Sequence, residues 1–330
     1  MAPNSSIFSS ESQGELKGAP WGRAMLVLVA ALLLIGSASS LLRRLFLPSG
    51  WGGEQTQTLF VGTSHFDGAV AYRRLPMPSG LLFLAGADQQ LLSTSLLKHL
   101  EHWPALKCAV LELDEMTLLS DRAWQHRKDL SVLASELDLD AWELPSRGDA
   151  PRRMATFALG LLRGRGWAAL SPNKRLTLTN LEAALTTRPG PWVPDTSPPP
   201  PVVKTSTLSV ELSRRGVEFL EREGSDPRWN LEALVEAARA LKGRGVRVIL
   251  LTTPNHRYYR ELRPAKWDAL IAEGVRRVNE AAGPVPHWDY RSDPGFGDED
   301  FNNATHLHAA SAVRFTEGLA GRLSAEGCGP

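Results

Sequence analysis

Leu59-Phe60-Val61-Gly62-Thr63-Ser64-His65 is an apolar run of strand length that stops at a glycine and places a serine where the next helix would begin. The same kind of run recurs at Leu81–Leu84, Ala109–Leu113 and Val246–Thr252, and more weakly at Val285–Tyr290. Between the runs lie stretches of helical periodicity at Gln89–Glu101, Asn230–Gly243 and Pro264–Ala282. Continuous apolar strands alternating with amphipathic helices predict an α/β domain. The expected architecture is a doubly wound, flavodoxin-like parallel sheet of about five strands with helices on both faces.

Local punctuation supports the second of these helices. Asn230 is placed to cap its first turn, Gly243 and Gly245 to stop it, and Leu231, Leu234, Val235, Ala238 and Leu241 share one face that packs on the sheet. Residues from about 116 to 213 interrupt the alternation. They hold a helical pattern at Met154–Leu162, the basic stretch Arg163-Gly164-Arg165-Gly166 and a tract from Pro189 to Pro201 with four successive prolines. Proline runs join neither a ladder nor a helix interior, so this segment reads as an insertion with a surface loop.

The folded domain is expected over residues 56–330, after a polar leader (1–23), an apolar segment (24–42) and a linker (43–55) containing Pro48-Ser49-Gly50-Trp51-Gly52-Gly53. Residues 24–42 carry no charge and are bracketed by Arg23 and Arg43-Arg44. About 20 apolar residues span a hydrocarbon core, so this segment reads as a transmembrane anchor. The alternative is a signal peptide cleaved near Gly36-Ser37-Ala38-Ser39, and the flanking charges do not choose an orientation. In the whole chain, 37 Lys and Arg balance 36 Asp and Glu without a basic stripe, which gives no footprint for nucleic acid. Cys108 and Cys328 read as a buried small hydrophobe and a tail thiol, supporting neither a disulfide framework nor a zinc site. No His-x-x-x-His pair or carboxylate cluster has ligand spacing on one predicted helix, so a metal centre is not expected.

In a doubly wound sheet, ligands bind beyond the carboxyl ends of the strands. Gly62-Thr63-Ser64-His65 occupies that edge after the first strand, and Ala85-Gly86-Ala87-Asp88 after the second. Ser64 is the candidate nucleophile, and the N–H groups of Ser64 and Gly86 are candidate oxyanion donors. A serine hydroxyl needs a base. His306, in the polar loop Phe301–His308 before the last apolar helical pattern, is the first candidate, with His308 and His65 as competitors. Asp114, after the third strand, reads as the cap of the next segment. Thr252–His256 also opens on this edge, where His256 and Tyr258 or Tyr259 could contact substrate.

Gly62-Thr63-Ser64-His65 resembles the first block of the SGNH (GDSL-like) hydrolase superfamily, and Phe301–His308 resembles its last, of the form Asp-x-x-His followed by Leu-Asn and a small-residue helix start. Gly86 matches the second-block glycine and Ala109–Asp114 the third strand, so the resemblance covers roughly Thr56–Arg122 and Leu231–Leu323. It is nearest to the membrane-anchored periplasmic branch related to alginate O-acetylation and D-alanyl-lipoteichoic acid proteins. The resemblance implies a Ser64–His306 acyl-enzyme mechanism without a cofactor, with Ser64 and Gly86 donating to the oxyanion. It further implies an esterase or O-acyltransferase acting on a cell-surface polysaccharide or other polymer outside the cytoplasmic membrane, with a membrane-bound O-acyltransferase as a partner. Two positions depart from the pattern. Asn303 stands where the triad acid is expected, with Asp298 or Asp300 as the substitutes, and the third-block oxyanion asparagine has no counterpart. These departures leave a second reading, a catalytically impaired protein of the same fold that binds glycan or scaffolds a polymer-modifying complex.

Overall fold

The structure is a computed structural model that describes residues 52–84, 87–120, 193–198, 208–223 and 226–329. The leader, the apolar segment at 24–42, Gly86, the Met154–Leu162 pattern and most of the proline tract lie outside the described residues. Among the described residues, no helix is long and apolar enough to cross a membrane.

Five parallel strands form one sheet in the order β2-β1-β3-β4-β5: β1 Thr58–Gly62, β2 Ser79–Phe83, β3 Cys108–Glu112, β4 Arg247–Thr252 and β5 His287–Asp289. Every residue of β1 and β3 is buried, as central strands covered on both faces require. Each predicted strand is present, with bounds shifted by one or two residues. β5 keeps only three of the expected residues, because it pairs on one side, with β4.

Among the described residues the helices are α1 Ser64–Ala69, α2 Gln89–His99, α3 Glu115–Leu119, α4 Leu208–Glu223, α5 Arg228–Gly243, α6 Arg257–Leu262, α7 Lys266–Ala282 and α8 Ala309–Ala325. The period-2 alternation of the strands sorts the core into two layers. Leu59, Val61, Leu82, Ala109, Leu111, Val248 and Leu250 face one way and pack with Leu92 and Leu96 of α2, Leu234 and Leu241 of α5, and Ile271 and Val278 of α7. Phe60, Leu81, Val110, Ile249 and Leu251 face the other way, against Phe66 of α1 and Phe315, Leu319 and Leu323 of α8. A smaller apolar cluster joins Val217 and Leu220 of α4 to Tyr259 of α6, Trp267 of α7 and Ala304. The α/β expectation holds in this arrangement, and α1, which begins within the first candidate block, and α8, which follows the second, pack on the same face of the sheet.

Two local readings are corrected. Asn230 does not cap α5, because Pro227 occupies the N-cap position and Asn230 is buried one turn inside. Its amide accepts from Gln90 N–H at 3.0 Å and donates to the carbonyls of Leu118 at 2.8 Å and Ser120 at 3.1 Å, which ties α2, α3 and α5 together. Gly245, at φ +77°, supplies the left-handed stop as expected. The cysteines, in turn, are not separate thiols. Cys108 and Cys328 form a disulfide with a Cα–Cα distance of 5.4 Å and no exposed surface. Gly327, at φ +74°, turns the chain after α8, and the Cys328 carbonyl then accepts from Thr58 Oγ1 at 3.1 Å on the neighbouring strand. Sequence separation of 220 residues concealed a contact that the strand order creates.

Candidate functional site

The carboxyl ends of β1 and β3 bring four polar side chains together. Thr63 is the N-cap of α1, its hydroxyl accepting from His65 N–H at 3.3 Å. Its own N–H donates to Glu112 Oε2 at 2.5 Å and its hydroxyl to Glu112 Oε1 at 3.1 Å. Asp114, two residues beyond Glu112, caps α3 through Thr117 N–H at 2.7 Å, which agrees with its reading as a cap. Its other oxygen takes the His65 Nδ1–H at 2.6 Å, with Glu112 Oε1 3.4 Å from the same nitrogen. Gly62 makes room for this cluster. A Cβ there would meet Glu112 Oε2 and come within 2.7 Å of Phe66 Cγ, so the glycine is needed for space rather than for an unusual backbone angle.

His65, Glu112 and Asp114 are all buried. Burial by itself would strip the proton from His65, but Asp114 first and Glu112 second outweigh it and raise the imidazole to about 10, so His65 is a cation at neutral pH. Burial, followed by the nearby Asp114 charge, pushes the Glu112 carboxyl upward, while Asp114 is held below the usual carboxylate range, its own burial outweighed by the His65 charge and hydrogen bond. The three residues also place a ligand atom each within 4.8 Å of one another, the one grouping of metal-ligand type among the described residues. It draws on two strand ends rather than one helix, which is why helical spacing did not reveal it. All four carboxylate oxygens already take donors from Thr63, His65 or Thr117, so the trio is built as an ion-pair network in which a cation would have to displace protein hydrogen bonds.

His306 reaches the same place from the other end of the chain. The loop before α8 closes on itself through a Phe301–Leu307 bridge and an Asn302 N–H to His306 carbonyl bond of 2.8 Å. Asn303 Oδ1 accepts from Thr305 N–H at 3.0 Å, His306 N–H at 3.1 Å and the His306 Nδ1–H at 2.9 Å. Donation from Nδ1–H to Asn303 Oδ1 selects the tautomer that leaves Nε2 unprotonated, the form a general base requires. The ring stands on α1: a Cβ at Gly68 would lie 2.7 Å from His306 Cδ2. Gly68 is four residues beyond Ser64 and therefore shares its helix face. The His306 ring meets the His65 ring edge to face, 5.3 Å between centroids. Burial first, and the His65 charge second, depress His306 to about 4.

Ser64 is the first residue of α1, half-buried, between Thr63 and His65, which are both engaged in the network. The proposed replacements for the triad acid do not reach His306. Asp298 pairs with Arg257 at 3.0 Å and lies 3.5 Å from His256. Asp300 accepts from Ser311 Oγ at 2.7 Å, Arg314 at 2.8 Å and Gly297 N–H at 2.9 Å, securing the start of α8. His308 occupies the N-cap position of α8, buried, its Nε2 without a hydrogen bond among the described residues. His256 is buried at the start of α6, where it stacks on Tyr258 and its N–H holds the Ala304 carbonyl at 2.9 Å. It therefore buttresses the His306 loop. Tyr258 is exposed beside Arg257, whereas Tyr259 is buried in the small apolar cluster and is removed from the candidate substrate contacts. Gly86 lies outside the described residues. Sequence reasoning missed Glu112 and Gly68; a charged residue closing an otherwise apolar strand and a glycine inside a short helix were the available signals. In comparisons with known proteins, no family model matches the chain and no curated protein is significantly similar to it.

Proposed function

We propose that this chain is a membrane-anchored, extracytoplasmic SGNH-like esterase or O-acyltransferase that moves an acyl group through Ser64. The observation that carries the reading is the seating of His306 on Gly68, on the helix face that Ser64 opens, with Asn303 fixing its base-competent tautomer. In this mechanism His306 Nε2 takes the Ser64 proton as Oγ attacks the acyl carbonyl. The Ser64 N–H, at the free first turn of α1, donates to the resulting oxyanion, and Gly86 is the second donor that the resemblance implies. The proton then goes to the leaving alcohol, and water or a sugar hydroxyl of a surface polymer resolves the acyl-enzyme. A fixed cation at His65 favours negative charge developing at the neighbouring residue. The buried Cys108–Cys328 bridge supports an oxidising compartment, and with it export through the apolar segment at 24–42. An acylated cell-surface polysaccharide is the expected substrate, and a membrane-bound O-acyltransferase the expected source of acyl groups.

One observation favours a second reading, an SGNH-fold protein that binds glycan without turning over: His306 faces an amide rather than a carboxylate and is depressed to about 4. A serine-directed fluorophosphonate on the full chain in detergent separates the two. The enzyme reading expects covalent label that is lost in Ser64→Ala and strongly slowed in His306→Ala. Absence of label at every pH from 4 to 9 would replace it with the binding reading.

A further inference from the structure

Three ionisable side chains stand beneath one turn, more polar machinery than the fold requires. Glu112, Asp114 and His65 have 1%, 5% and 7% of their surface exposed. Apolar residues of similar volume generally hold such a position as well or better, because desolvating charges offsets what their pairing returns. What the trio provides instead is a closed circuit of bonds. Glu112 holds both donors of Thr63; the Thr63 hydroxyl holds the His65 N–H; the His65 imidazolium returns to Asp114 and Glu112. Ser64 lies inside this circuit, and its hydroxyl has no hydrogen bond among the described residues. The circuit's other end is rigid. Glu112 is the last residue of β3, paired to Leu251, and Asp114 is locked in the α3 cap.

We propose that Glu112 is a positioning residue for Ser64: it grips Thr63 through two bonds and so fixes where the Ser64 hydroxyl and N–H stand relative to His306, with Asp114 and His65 closing the clamp behind it. The proposal rests on the acyl-transfer reading. Glu112 touches no reacting atom and acts through Thr63. Its bidentate grip leaves the nucleophile's neighbours immobile and the nucleophile itself uncommitted, the arrangement that pre-organised attack requires.

Glu112→Gln keeps the shape of the side chain but cannot accept from both Thr63 donors. Thr63→Val removes the hydroxyl half of the grip together with the α1 cap to His65 N–H, and Thr63→Ser restores both. On the full chain in detergent, Glu112→Gln is expected to slow fluorophosphonate labelling of Ser64 and to lower kcat for a p-nitrophenyl ester by about 10- to 100-fold with KM nearly constant, the scale of a misplacement of about 1 Å. Thr63→Val should show a smaller loss of the same kind and Thr63→Ser near wild-type rates, and a loss confined to kcat with KM and the urea midpoint unchanged is what a purely structural role would not produce. The amide proton of Thr63, observed in ¹⁵N-threonine-labelled protein, should lie far downfield in the wild type and move upfield in Glu112→Gln. Unchanged kcat in a folded Glu112→Gln or Thr63→Val protein would overturn the proposal, as would an unmoved amide resonance. If the wild type takes no label, the nucleophile reading fails separately, and the amide shift alone then decides whether Glu112 holds the turn.

Discussion

Asn303→Asp is the substitution that tests the site most directly, because it supplies the charge that His306 lacks without disturbing what Asn303 already does. The three donors now held by Asn303 Oδ1, from Thr305 N, His306 N and His306 Nδ1, can all be accepted by a carboxylate oxygen in the same position. A carboxylate about 4 Å from the centre of an imidazolium is worth about 4 kcal/mol at an effective dielectric constant of roughly 20. One pKa unit is about 1.4 kcal/mol, so the ceiling is about 3 units. Asn303 and His306 are only partly buried, and solvent screens part of the charge, so we expect a rise of about 2 units from the present value of about 4. His306 then remains mostly neutral at pH 7 and becomes a stronger base. Removing the corresponding carboxylate from a serine protease costs about 10⁴-fold in turnover, which bounds the gain from above, and a rise of about 100-fold in kcat/KM is the central expectation. The assay is ester hydrolysis from pH 4 to 9, with the His306 ring titrated by NMR. The wild-type acid limb should lie near pH 4 and the Asn303→Asp limb near pH 6. An acid limb that stays where it was, in a folded variant whose activity is abolished by Ser64→Ala, would refute the assignment of His306 as the base.

Three further outcomes follow from the same geometry. Gly68→Ala would drive a Cβ to within 2.7 Å of the His306 ring and force the ring to shift, so labelling of Ser64 should fall at least tenfold; unchanged labelling in a folded variant would show that His306 does not need this seat. Cys328→Ala opens a bridge that spans 220 residues of sequence, for which chain entropy gives about 5 kcal/mol, with measured cases commonly about 2 to 4; a urea midpoint unmoved by the substitution would contradict a stabilising role for the bridge. The His65 proton is bound in the folded protein up to about pH 10 but is released above 6.5 in the unfolded chain, so its contribution is complete below 6.5 and is lost as pH rises through 10. Urea midpoints should therefore fall between pH 7 and 10, and His65→Gln should flatten that slope.

The sheet was legible because buried parallel strands are written as short, nearly continuous apolar runs, and Leu59–Val61, Ala109–Leu113 and Val246–Thr252 carry that signal without interruption. The positions of Ser64 and His306 at a strand end and before the last helix were legible because small residues and a polar loop stand there. What stayed hidden depends on distance in the chain. Asp114 was read as a cap, and one of its oxygens is a cap, but the other binds His65, 49 residues away across two strands. Asn230 carried a capping residue's chemistry into a buried bridge because Pro227 had already taken the cap position. The cysteines meet only because the tail after α8 folds back under β3 and beside β1.

The choice between a working acyl-transfer site and an inert scaffold turns on what each feature costs the fold. The buried trio does not decide it, since once built, an ion-pair network is costly to break whether or not it has a use. Gly68 is more informative. It sits in the last turn of α1, and the space a Cβ would fill there is taken by the His306 ring, whose proton affinity burial has lowered. Asn303 adds three bonds whose joint effect is to hold that imidazole in one tautomer. Glycan binding alone gives no reason to hold an imidazole in one tautomer on the helix that Ser64 opens. Together with the Glu112 grip on the turn before Ser64, these positions favour the acyl-transfer proposal over the glycan-binding one, and labelling of Ser64 is the experiment that decides between them.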